Sequence, residues 1–239
     1  MTVIFDSSPQ GSEEWLQARV GAITGSRIRD AREKIKSGGP GSKSIGYAMD
    51  KARERAGGIV PPLFQNAAMR TGTEQEPIAR LRYEAETGDL VQEVGFASTE
   101  DGRFGASVDG LIGEHGVWEC KTMVSSATLF RAVVDGDISD YRDQCVFALW
   151  LLGRRWVDLS LWCPDLDLLH TIRIDRDEEE IAALESDLVA FDRLVDRLAA
   201  ELLRAKLAPQ AANPPWLPDQ ATAAPTPSTN APAVLAPTF

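Results

Sequence analysis

The sequence predicts a mixed α/β fold, with one central sheet flanked by helices. Three observations point there. Helical periodicity occupies both ends of the ordered sequence. Between Leu90 and Thr122 the apolar period drops to two, the signature of strands. A second alternating pair, WVDLSLWC and LLHTIRI, follows an almost wholly apolar helical stretch. A chain of 239 residues with 44% apolar composition is long enough to bury a sizeable core.

The elements follow in order. Ser12 is an N-cap candidate before EEWLQAR, with acids in the first turn. A second helix is expected after Thr24, through SRIRDAREKI, and SGGPGSKS at 37–44 is a flexible loop. IGYAMDKARERAGG is a helix that stops at a Gly pair. NAAMRTGTEQEPIARLRYEAETG is a longer one, stopped near Gly88, with Pro77 expected in the first turn of its main segment. VQEVGFAS, GRFGASVDGLI and GVWECKT are strands, and Gly113 to Gly116 closes the last two into a hairpin. YRDQCVFALWLLG is a buried helix. WVDLSLWC and LLHTIRI form a second hairpin around PDLD.

Residues 177–204 carry an apolar stripe at Ile181, Leu184, Leu188, Phe191, Val195, Leu198 and Leu202, expected to pack on the sheet. From Lys206 onward eight of the 14 prolines fall in 34 residues, a composition that cannot build a core. The domain division is therefore 1–205 for the folded unit and 206–239 for a Pro/Ala-rich disordered tail, in which Trp216 and the closing AVLAPTF are the apolar points.

Composition narrows the function. No run approaches a membrane span and the N-terminus lacks a signal-peptide pattern, so a cytoplasmic protein is expected. Three scattered cysteines without a CxxC argue against zinc, iron–sulfur and disulfide frameworks. Two histidines, one in a hairpin connection and one on a strand, do not suggest a His-based mechanism. The net charge of −11 argues against a simple polyanion binder. That acidity is uneven: residues 1–56 hold ten Lys/Arg against seven Asp/Glu, whereas residues 171–204 hold five against ten. A nucleic-acid surface near the N-terminus stays compatible with this distribution.

The stretch FGASVDGLIGEHGVWECKT carries the chemistry. Asp109 lies near the end of one strand, and Glu119 and Lys121 share a face of the next, so the three polar groups can converge across the hairpin. Two carboxylates suit Mg²⁺ or Mn²⁺, which prefer oxygen ligands, and the Cys120 carbonyl can add another oxygen. An ammonium alongside can orient water or meet charge developing on a phosphate. This set is that of phosphodiester hydrolysis. The competing reading is a surface salt-bridge cluster of little consequence. Against it stand the apolar flanks Val108, Leu111, Val117, Trp118 and Cys120.

The stretch resembles the D…ExK core of the PD-(D/E)xK nuclease superfamily, and the chain resembles the phage-lambda-type exonucleases, also described as YqaJ-like viral recombinases. Four segments carry the resemblance in order: WLQARVGAITGS, GTEQEPIARLRYE, the Asp109–Lys121 stretch, and YRDQCVFALWLLG. Val108 stands where the motif name has Pro. The resemblance implies a restriction-endonuclease-like core. It implies Asp109 and Glu119 as metal ligands, Lys121 as the catalytic lysine, Glu76 reaching the metal from its helix and Gln144 supporting the site. Arg19 and Ser26 match the positions that bind the 5′-phosphate. It further implies a Mg²⁺-dependent 5′→3′ exonuclease on double-stranded ends, leaving 3′ single strands for recombination, a ring-shaped homotrimer and a single-strand annealing partner. The alternatives are a structure-specific or RecB/Cas4-like endonuclease and a non-catalytic recombination accessory protein.

Overall fold

The period-two stretches form strands, and those strands divide between two sheets. The computed structural model describes residues 2–59 and 67–208. Strand β1 (Val3–Asp6) and helix α1 (Glu13–Ala18) open the chain, and Ser12 caps α1 by accepting the Trp15 N–H at 3.2 Å. Strand β2 (Ile23–Thr24) leads through a 3₁₀ turn (Gly25–Arg27) into the single-turn helix α2 (Ile28–Ala31). Helices α3 (Ser42–Arg55) and α4 (Ala67–Thr87) follow. Five strands come next: β3 (Val91–Gln92), β4 (Phe96–Thr99), β5 (Phe104–Ser107), β6 (Gly110–Ile112) and β7 (Gly116–Thr122). Helix α5 (Ser126–Leu129) runs into a π-type turn (Phe130–Val134), then α6 (Ser139–Leu152), the hairpin β8 (Trp156–Cys163) and β9 (Leu168–Asp175), and α7 (Glu178–Leu207).

The four-stranded sheet has the order β1-β4-β5-β2 and the five-stranded sheet β3-β6-β7-β8-β9. Both are mixed, because β2–β5 and β7–β8 are parallel and the other pairs antiparallel. The expected strand VQEVGFAS is split: β3 joins one sheet and β4 the other. Gly95 sits in the break, where an added Cβ would lie 1.8 Å from the Asp6 carbonyl oxygen, so only glycine allows β1 to approach there. GRFGASVDGLI splits likewise, into β5 and β6. Asp109 occupies that crossover.

Helices cover both faces of the five-stranded sheet. On one face Trp118, Cys120 and Trp162 pack against Ala79 and Tyr83 of α4. The other face contributes Val117, Leu159 and Leu161 to the main core, which α6 fills with Cys145, Val146 and Leu149. α6 ends at Gly153 in the left-handed conformation, the usual glycine stop. Phe191 of α7 stacks on Tyr47 of α3 at 5.3 Å, and Asp192 pairs with Arg55 and Arg103. The described residues up to Lys206 form one compact unit.

Three expectations need correction. The helix expected through SRIRDAREKI closes after one turn; the chain instead folds back so that Gly41 N–H meets the Glu33 carbonyl at 2.8 Å, and Arg32 is drawn to Asp143 and Asp187. Pro77 lies inside a continuous 21-residue helix, not in a first turn. The carbonyl four residues before it loses its helical donor, at a place where both Thr73 and Pro77 are exposed. Leu202, read as part of the buried stripe, is 45% exposed, because α7 outruns the core. The tail with Trp216 and AVLAPTF lies outside the described residues.

Candidate active site

Strand pairing places Gly110 opposite Trp118, so Asp109 stands one step beyond the last pair, level with Glu119. Its carboxylate turns back onto the hairpin: Oδ2 accepts the Cys120 N–H at 2.7 Å. Glu119 and Lys121 share the β7 face that looks at α6, as two-residue alternation requires. Glu119 is 2% exposed, which rules out a surface salt-bridge cluster. Its Oε1 accepts from Lys121 Nζ at 2.6 Å and from Gln144 Nε2 of α6. Gln144 is held by one full helix, so the amide meets Glu119 only because α6 docks on that face.

Glu76 projects from α4 into the same cleft, which also contains Asp109, Glu119, Lys121 and Gln144. The electrostatics show the crowding. Burial pushes the Asp109 carboxyl well above the usual carboxylate range, and the Glu119 charge pushes it further. Burial, then Glu119, raises Glu76 as well. Burial alone would lower the Lys121 ammonium, but Glu119 and Asp109 outweigh it and hold the proton above the ordinary lysine range. Three buried or half-buried acids thus share one ammonium, an arrangement short of positive charge.

That shortage, and a donor set of hard oxygens, fit a divalent cation of the Mg²⁺ or Mn²⁺ type. Asp109, Glu119, Glu76 and the Cys120 carbonyl are the residues that would hold it. Among the described residues no three His, Cys, Asp or Glu side chains already form a closed metal cage. Mg²⁺ commonly keeps several waters and takes only one or two carboxylates directly, so a closed cage is not required. The Cys120 thiol itself is buried on the opposite face against α4.

The cleft, of about 760 Å³, extends from these acids to Arg19 and Ser26. Arg19 is the C-cap residue of α1, where its chain leaves the helix towards β2. Its guanidinium lies 4.1 Å from the Trp15 ring centroid and 5.4 Å from that of Phe96. Nη1 donates to Ser107 Oγ at 3.1 Å, and no described carboxylate forms an ion pair with it. Burial lowers the Arg19 pKa, and the charges of Tyr47 and Glu54 offset that only in part. Ser26 is exposed in the 3₁₀ turn after β2.

The nominated residues therefore fall into two groups within one cleft. Asp109, Glu119, Lys121, Gln144, Glu76 and Cys120 form the acid-rich group, and Arg19 and Ser26, which line the same cleft, come from the segment after α1. Sequence reasoning missed Ser107, whose Oγ accepts from both Arg19 and Trp15 Nε1, the latter at 2.9 Å. Two accepted N–H bonds leave its own hydroxyl proton free to donate elsewhere. One signal was available: Ser107 precedes Asp109 by two, the spacing that puts strand side chains on one side.

Comparison with known proteins identifies the family and the fold. A family model described as the YqaJ-like viral recombinase domain matches residues 14–155, a span that contains every residue nominated above. The fold is similar to the crystal structure of an alkaline exonuclease from Laribacter hongkongensis, with 34% identity, a TM-score of 0.71, and coverage of 82% of this chain and 100% of that one. The structure of that exonuclease in complex with dAMP gives 35% identity with the same coverage and TM-score. A phage related exonuclease from Haemophilus somnus 129PT shares the fold at a TM-score of 0.62, with 14% identity over 76% of this chain and 96% of that one. No curated protein matches the chain.

Proposed function

The chain belongs to the YqaJ-like viral recombinase domain family, and from that premise we propose that it is a metal-dependent DNA exonuclease of phage-type recombination. The substrate is a double-stranded DNA end, degraded 5′→3′ to leave a 3′ single strand for annealing. One observation carries the reading: one cleft is lined both by the acid-rich centre around Glu119 and by a guanidinium that no described carboxylate meets in an ion pair.

The roles follow from chemistry. Asp109 and Glu119, with Glu76 and the Cys120 carbonyl, hold Mg²⁺, for which Mn²⁺ can substitute. When bound, such a cation supplies Lewis-acid polarisation of a phosphoryl oxygen and acidifies water. Lys121 directs its ammonium at the charge that develops on the scissile phosphate. Gln144 fixes the Glu119 carboxylate from α6. Arg19 offers a planar fork to the terminal 5′-phosphate, and Ser26 and Ser107 offer hydroxyls. An end-binding pocket of this kind favours a terminus over an internal phosphate, hence exonuclease over endonuclease. The reading extends to a ring-shaped homotrimer in a bacterial host's cytoplasm and a single-strand annealing partner. Among the described residues no helix is long and apolar enough to cross a membrane.

The test uses linear duplex with or without a 5′-phosphate, in Mg²⁺ or EDTA, beside closed circular DNA. Degradation of the phosphorylated linear duplex in Mg²⁺ alone is expected. Cleavage of the circle would favour an endonuclease, and no cleavage in Mg²⁺ or in added Mn²⁺ an accessory protein. Arg19→Ala is expected to abolish the preference for a 5′-phosphate while some cutting remains; an unchanged preference would overturn the pocket assignment.

A further inference from the structure

The segment that carries Arg19 and Ser26 is held from beneath by one face of α3. Tyr47, Lys51, Glu54 and Arg55 recur at steps of four, three and one, which places them on one side of the helix. Glu54 Oε2 accepts the Gly21 N–H at 2.7 Å, and Arg55 Nε donates to the Gly21 carbonyl at 3.0 Å. Lys51 Nζ pairs with Glu54 at 2.7 Å, both side chains nearly buried. Gly21 itself has φ +76°, so the chain turns sharply there and depends on these ties.

Tyr47 holds the other end. It is 1% exposed, and its hydroxyl oxygen accepts the Thr24 N–H at 2.8 Å, with Thr24 Oγ1 at 3.4 Å. The Arg27 guanidinium lies 4.4 Å from its ring centroid. Tyr47 thus touches the chain on both sides of Ser26, from Thr24 to Arg27, without reaching into the cleft. Without its hydroxyl the Thr24 N–H would be buried and unpaired, and a short turn with one lost anchor would sample other positions.

We propose that Tyr47, with Glu54 as its counterpart at Gly21, is a positioning residue that sets selectivity for a terminal phosphate by fixing the Arg19–Arg27 segment. The proposal rests on the phosphate-pocket reading above. Tyr47→Phe is a clean probe, because it keeps the ring that stacks on Phe191 and lies under Arg27 and removes only the hydroxyl.

The experiment compares wild type, Tyr47→Phe, Glu54→Ala, Glu54→Gln and Arg19→Ala on linear duplex with 5′-phosphate or 5′-hydroxyl ends, beside hydrogen exchange of the Thr24 amide. Tyr47→Phe is expected to raise KM for phosphorylated ends about tenfold, the effect of one lost bond to a buried amide, and to leave kcat within about twofold. Thr24 exchange should quicken. Glu54→Ala should act alike, and Glu54→Gln, which keeps an oxygen for the Gly21 N–H, should restore the preference. If Arg19→Ala loses the preference while Tyr47→Phe and Glu54→Ala keep it, the inference falls and the pocket stands. If Arg19→Ala also keeps it, both fall.

Discussion

Removing the Tyr83 hydroxyl tests how α4, and with it Glu76, is fastened to the sheet. Asp158 lies on β8, 3% exposed, under α4. Three donors satisfy it: Tyr83 Oη at 2.6 Å, and Arg173 Nε and Nη2, each at 2.8 Å. Tyr83 is fully buried and tilts on Trp118 at 6.0 Å between ring centroids. Tyr83→Phe keeps the ring and its packing, and Asp158 keeps the guanidinium fork. The loss is one hydrogen bond to a charged acceptor, about 1.5–3 kcal/mol. At about 2–4 °C per kcal/mol for a chain of this size, Tm should fall by roughly 3–12 °C. Urea unfolding followed by tryptophan fluorescence measures the cost, and an unchanged m-value shows that the native state itself was weakened. The double-mutant cycle with Asp158→Asn apportions it. A cost below about 0.5 kcal/mol would refute the reasoning, since it would mean that the hydroxyl finds water as easily as Asp158.

The site yields further expectations. Asp109→Asn and Lys121→Met should each lower cleavage by about a thousandfold while circular dichroism stays native, and a variant within tenfold of wild type would remove that residue from the reaction. Because Asp109 is held above its ordinary 3.8, its charge opposes folding at neutral pH; without metal, stability should therefore rise as pH falls from neutrality towards that value. Asp109→Asn or saturating Mg²⁺ should flatten the slope, and a metal-free protein that weakens steadily over the same window would contradict the crowded-acid account. At Gly25, an added Cβ would lie 3.3 Å from Phe147 and 3.8 Å from the Gln144 side chain. Gly25→Ala should therefore press on the Phe147 ring and leave Gln144 in place: a cost of about 1 kcal/mol read by thermal unfolding, with turnover close to wild type.

The polar triad was legible because its logic is local. Alternation puts Glu119 and Lys121 on one face, and a short Gly-bounded connection returns the chain so that Asp109 meets them. The helices at α1, α3, α6 and α7 were legible for the same reason, since caps, Gly stops and apolar stripes act over a few residues. The short α2 was not, because Arg32 at its end meets Asp143 of α6 and Asp187 of α7, partners far away in sequence.

The sequence by itself determined which polar groups the chain can bring together: carboxylates, an ammonium and a guanidinium, on strands and helix ends whose periods are written in neighbouring residues. Only the tertiary structure decided what those groups meet. It brought Gln144 onto Glu119 through the docking of α6, split two apparent strands between two sheets at Gly95 and Asp109, and set Tyr47 beneath Thr24. Hydrogen bonds and packing across such distances depend on how faces of different elements meet, and no local period encodes that.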